Sequence, residues 1–115
     1  MGRGQEILYH KDVYFPAFDF KRFWSNIFGL RASTHFRERQ YTKGIPFPSL
    51  VKLKKSTIFE VGVVDGYISK VACRVHDRWY DYCYVISNSG CIITAWVQNP
   101  NDKHATLDKS RYATR

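Results

Sequence analysis

Two groups of side chains in this chain have the types needed to move protons and hold phosphate. The first is His35, Arg39, Arg74, His104, Thr106 and Tyr112. The second is Lys70, His76, Tyr80, Tyr82, Lys103 and Arg111. An imidazole exchanges protons near neutral pH. A guanidinium stays charged, and its planar fork matches phosphate oxygens. Exposed tyrosine rings offer faces on which bases stack. Cleaving RNA without a metal needs a base for the ribose 2′-hydroxyl and an acid for the leaving 5′-oxygen. It also needs fixed cations for the phosphorane charge and contacts that hold the strand in line. His35 and His104 are the expected proton carriers, with His76 a third candidate. Arg39, Arg74 and Lys70 are the expected phosphate clamp, and Thr106 and Tyr112 position the substrate or donate to the phosphate. A single histidine is more often structural than catalytic, so the constellation carries the expectation.

The segment Gln98 to Tyr112 is polar and follows directly on the apolar run Cys91 to Val97. It has no core to build, so its His104, Thr106, Arg111 and Tyr112 are expected to serve a site. Other chemistries fit less well. The Asp and Glu residues number ten and are scattered, against eighteen Lys and Arg, which disfavours a paired-carboxylate or two-metal site. There is no Gly-rich phosphate loop. Cys73, Cys83 and Cys91 form no CxxC pair, so neither a zinc site nor a disulfide framework is expected. No cofactor and no metal are expected.

The formal net charge is +8 over 115 residues, with a pI near 9.6. Such a domain is drawn to polyanions. Nucleic acid, and single-stranded RNA in particular, is the first expected partner. An acidic protein, whether an antidote or a host protein, is the second. No membrane partner is expected, because no basic amphipathic helix stands out. The N-terminus lacks an apolar signal region and the apolar runs are too short to span a bilayer. Free thiols then suit a reducing compartment, and a cytoplasmic protein is expected.

The elements that must position these residues read as follows. A single domain of residues 1–115 is expected. Residues 1–16 form an edge strand or a surface arm. Phe20, Phe23, Trp24, Ile27 and Phe28 line one face of a helix within residues 17–30, ended by Gly29. A second helix spans 33–43, capped by Ser33 or Thr34 and closed by Gly44, which places His35 and Arg39 on one face. A short helix follows over 49–54. Strands are expected over 57–64, 67–76, 79–87 and 91–97, with an Asp65-Gly66 hairpin turn. Alternation along 67–76 sets Lys70, Arg74 and His76 on one face. Tyr80, Tyr82 and Tyr84 share a face, and if exposed beside Lys70 and Arg74 they stack bases. The expected fold class is α+β, with N-terminal helices packed on a four-stranded antiparallel sheet.

Four motifs occur in order: Thr34-His35-Phe36-Arg37-Glu38-Arg39, Lys43-Gly44-Ile45-Pro46, Ile68 to Arg74, and Ile92-Ile93-Thr94-Ala95-Trp96. This order resembles the small toxin-like ribonucleases of the barnase/EndoU/colicin/RelE superfamily, most nearly a RelE-like subgroup. The tail from Asp102 to Tyr112 is similar to the ending of phage members of this kind. The resemblance covers about residues 33–115 and leaves residues 1–32 as an N-terminal elaboration. It implies metal-independent endoribonuclease activity yielding a 2′,3′-cyclic phosphate. It also implies site roles for His35, Arg39, Arg74, His104 and Tyr112.

Overall fold

A computed structural model describes residues 4–102 and 106–115. Its elements are β1 (Ile7–His10), α1 (Phe20–Ser25), β2 (Arg31–Ala32), α2 (Thr34–Lys43), α3 (Leu50–Lys54), β3 (Thr57–Val64), β4 (Tyr67–His76), β5 (Asp81–Ser87) and β6 (Cys91–Gln98). A 3₁₀ turn over Lys109–Arg111 precedes the C-terminus. The fold is α+β, as the element pattern indicates. The sheet, however, has six strands in the order β1-β3-β4-β5-β6-β2, not the expected four. It is also mixed, because β2 runs parallel to β6. The expected meander β3 to β6 forms its centre, and residues 1–32 add one strand at each edge.

The helices begin where their caps dictate. Asp19, Ser33 and Ser49 each accept a backbone N–H of the first turn, satisfying a donor the helix leaves unpaired. Gly44 closes α2 in the left-handed conformation, with φ 65°. Asp65 and Gly66 both have positive φ, as a type I′ hairpin turn requires. Helix α1 is shorter than expected. It ends at Ser25, so Gly29 does not terminate it, and Phe28 stands 95% exposed instead of joining the core stripe.

The two sheet faces differ. One face packs Val61, Val71, Cys73, Tyr84, Ile86 and Ile92 against Phe23, Trp24, Phe36 and Leu53 from the helices and Ile27 just after α1. The other carries a smaller cluster of Phe59, Ala72, Cys83 and Val85 with Trp96 against it. The C-terminal arm lies over this second face. Tyr112 is buried, its hydroxyl donates to Glu60, and its ring sits 5.0 Å from that of His10. The Ala113 N–H donates to the Leu8 carbonyl at 2.8 Å. The polar tail therefore does build core at Tyr112, contrary to the expectation. Among the described residues no helix is long and apolar enough to cross a membrane.

Candidate nucleic-acid interface

Helix α3 sits beside β4 because Leu53 is fully buried and Leu50 packs partly against the core. Burying a leucine stabilises by roughly 1.5–3 kcal/mol, enough to fix so short a helix. The remaining face then has to look outward. It presents Val51, Lys52, Lys54 and Lys55, all exposed. Between α3 and the end of β4 lies a groove of about 420 Å³ lined by Lys52, Lys55, Ser56, Arg74 and His76 among others. No carboxylate pairs with Lys52 or Lys55 among the described residues.

His76 ends β4 and faces Asp81 at the start of β5. The intervening turn is closed by the Asp77 N–H donating to the Tyr80 carbonyl at 2.9 Å. His76 Nδ1 lies 2.6 Å from Asp81 Oδ1, while the imidazole is 72% exposed. Arg74 Nε donates to the other oxygen, Oδ2. Burial by itself raises the Asp81 carboxyl. The hydrogen bonds from His76 and Arg74, together with the guanidinium charge, outweigh burial and hold it below its ordinary range. Asp81 is thus an anion at neutral pH and accepts from Nδ1–H. That leaves Nε2 as the open nitrogen of the ring. The turn beyond His76 exposes Arg78, Trp79 (74%) and Tyr80 (53%). Rings and cations displayed together suit a single strand of nucleic acid.

No protein-family model, curated protein or solved structure matches the chain. Its function is therefore argued from this geometry.

The expected residues divide. Arg74, His76 and the groove come together. The Arg74 fork is largely committed, however: besides Asp81, it donates to the carbonyls of Asn99 at 2.9 Å, Asp102 at 3.3 Å and Pro100 at 3.4 Å. Arg74 therefore ties the loop after β6 to Asp81, and little of it remains to clamp phosphate. Lys70 pairs with Glu6 at 3.2 Å, so the row Lys70, Arg74, His76 is mostly neutralised by its own neighbours. His35 is exposed and Arg39 half-buried on α2. That helix packs through Phe36 on the face carrying Tyr84, across the sheet from the Arg74 fork. The expected meeting of His35 with Arg74 does not occur. Lys103 and His104 lie outside the described residues. Thr106 lines a separate recess with Trp96, Asp102 and Arg111. Arg111 lies over the Tyr112 ring, 5.7 Å from its centroid. Desolvation and the adjacent Glu60 push the Tyr112 hydroxyl well above its ordinary range, so it donates a hydrogen bond and holds the arm. Tyr82 faces the helices, half-buried against the main core, and not beside Lys70 and Arg74. Tyr80 precedes β5 and is free of that alternation.

Asp81, Lys52 and Lys55 are the residues that sequence reasoning missed. The signal for Asp81 was present: an acidic residue opening the strand after one that ends in His76. The expected strands 67–76 and 79–87 leave only Asp77-Arg78 between them, and that spacing hides it.

Cys73 and Cys83 do not compete as nucleophiles. Burial pushes the Cys73 and Cys83 thiols up to about 12, so they stay protonated. Among the described residues no group of three His, Cys, Asp or Glu is arranged to hold a metal ion.

Proposed function

We propose that this chain is an endoribonuclease acting on single-stranded RNA, with His76 as its proton carrier. The observation that carries the reading is the 2.6 Å contact between Asp81 and an imidazole that is otherwise open to solvent, beside lysines that meet no carboxylate among the described residues. Arg74 and His76 together hold Asp81 as an anion. The same contact orients His76. In this reading Nε2 accepts the 2′-hydroxyl proton and the 2′-oxygen attacks phosphorus. Lys52 and Lys55 stabilise the added charge. The bond to the 5′-oxygen breaks, that oxygen takes a proton from water, and the proton on Nε2 returns to the hydroxide left behind. The products are a 2′,3′-cyclic phosphate and a 5′-hydroxyl. No step requires a metal. Asp81 is a positioning residue. The free cysteines suit a reducing compartment such as cytoplasm, and the same cations would accept an acidic antidote or host protein.

The exposed Trp79 and Tyr80 favour a second reading, a module that binds single-stranded RNA without cutting it. Purified protein incubated with end-labelled RNA in EDTA separates the two. Cyclic-phosphate ends, lost by about a hundredfold or more in His76→Ala and retained in His35→Ala, support the enzyme. Binding with no shortening of the RNA leaves only the second reading. A wild-type rate in His76→Ala, or a comparable loss in His35→Ala alone, removes His76 from the chemistry.

A further inference from the structure

His76 stands between two recesses. One is the lysine-lined groove. The other, about 150 Å³, shares Lys52, Val75 and His76 with it but is walled differently, by Phe47, Tyr82 and Asp77. The Pro46-Phe47-Pro48 wall is stiff in sequence and tied down in space. The Tyr84 hydroxyl donates to the Pro46 carbonyl at 2.8 Å, and Gln40 Nε2 donates to the Ile45 carbonyl at 3.2 Å. Phe47 packs against Phe36 with ring centroids 5.9 Å apart, yet it remains 48% exposed. Tyr82 is half-buried. Asp77 accepts the Arg78 N–H on Oδ1 at 2.7 Å, and its Oδ2 meets no donor among the described residues.

We infer that this recess is a nucleobase subsite beside the scissile phosphate, and that Asp77 makes it select a base with an exocyclic amino group, cytosine over uracil. The inference rests on the endoribonuclease reading for the identity of the strand. The rings of Phe47 and Tyr82 in its wall suit a π-surface. The cations that hold phosphate begin at the residues the two recesses share, so a base and its own phosphate occupy them together. A carboxylate accepts from the cytosine N4 amino group. Uracil sets an acceptor, O4, against that carboxylate, so the hydrogen bond made to cytosine is lost and two negative ends face each other.

The test uses short oligomers of deoxycytidine and deoxyuridine, which lack the 2′-hydroxyl and cannot be cut, with binding followed by fluorescence anisotropy. The cytidine oligomer should bind roughly tenfold or more tightly. Asp77→Asn, a change on an exposed side chain, should abolish the difference, because an amide offers both a donor and an acceptor. Phe47→Ala should weaken both oligomers alike. Equal affinities in the wild type, or a preference that survives Asp77→Asn, overturn the inference. RNA cleavage without base preference overturns it while leaving the endoribonuclease reading intact. Discrimination in binding without any cleavage keeps the subsite and removes that reading.

Discussion

Replacing Asp81 by Asn should separate the positioning of His76 from the binding of RNA. Asp81 is 6% exposed and accepts two hydrogen bonds, one from Arg74 and one from His76. An amide in its place has a single acceptor. Arg74 is a permanent donor, so the amide oxygen turns to the guanidinium and the amide N–H₂ turns to His76 Nδ1. The ring then has to accept at Nδ1 and carries its proton on Nε2. A protonated Nε2 cannot take the 2′-hydroxyl proton. The cleavage rate constant should fall by about 10²–10⁴, the range for a general base, while KM stays near the wild-type value because Lys52 and Lys55 are untouched. Exchanging two charge-assisted hydrogen bonds for neutral ones costs about 1.5–3 kcal/mol. For a domain of this size that lowers Tm by roughly 6–12 °C. Single-turnover cleavage below the melting transition, anisotropy binding and thermal melting together give the answer. A wild-type cleavage rate in a variant with the expected Tm loss would refute the orienting role. A loss of rate matched by an equal loss of affinity would show that Asp81 serves the fold alone.

Lys52→Ala and Lys55→Ala should weaken binding to RNA of any sequence. Each should flatten the slope of log affinity against log salt by about 0.7, the value for one phosphate contact on a single strand. Slopes equal to wild type would mean that the strand runs elsewhere. The Asp81 carboxyl is held below its ordinary range, so its contribution to stability is complete above that range. The contribution is lost as pH falls through the lowered folded value. Denaturant titrations from about pH 5 downward should show the wild type losing its advantage over Asp81→Asn, and a constant difference would contradict the shift.

Much of the scaffold was legible because its signals are local. Ser33 and Gly44 bracket α2 from residues within one turn of its ends, and Asp65-Gly66 demands its hairpin whatever surrounds it. β2 was not legible. It is two residues long and exists because the chain leaving α1 passes the open edge of β6, where the Arg31 N–H meets the Gly90 carbonyl. Nothing in Arg31-Ala32 announces that. Tyr112 read as a substrate-positioning residue because its neighbours are polar, yet its partners are Glu60, 52 residues earlier, and His10 near the N-terminus. The Arg74 fork read as open because the carbonyls that fill it belong to a loop 25 to 28 residues later.

The decisive miss at the candidate site is one of register. A two-residue turn at Asp77-Arg78 would set His76 opposite Trp79 and Asp81 opposite Arg74, giving an ordinary cross-strand ion pair and an unpartnered histidine. The turn instead takes four residues, Asp77 through Tyr80, and slides the pairing by two. A shift of two keeps every side chain on its own face. The core therefore does not distinguish the two registers, and hydrophobic patterning cannot either. What changes is that Asp81 now faces His76 and still reaches Arg74 on the diagonal. The choice that sets Asp81 against His76 is thus carried by turn chemistry, which also leaves Trp79 and Tyr80 exposed in the loop that follows His76.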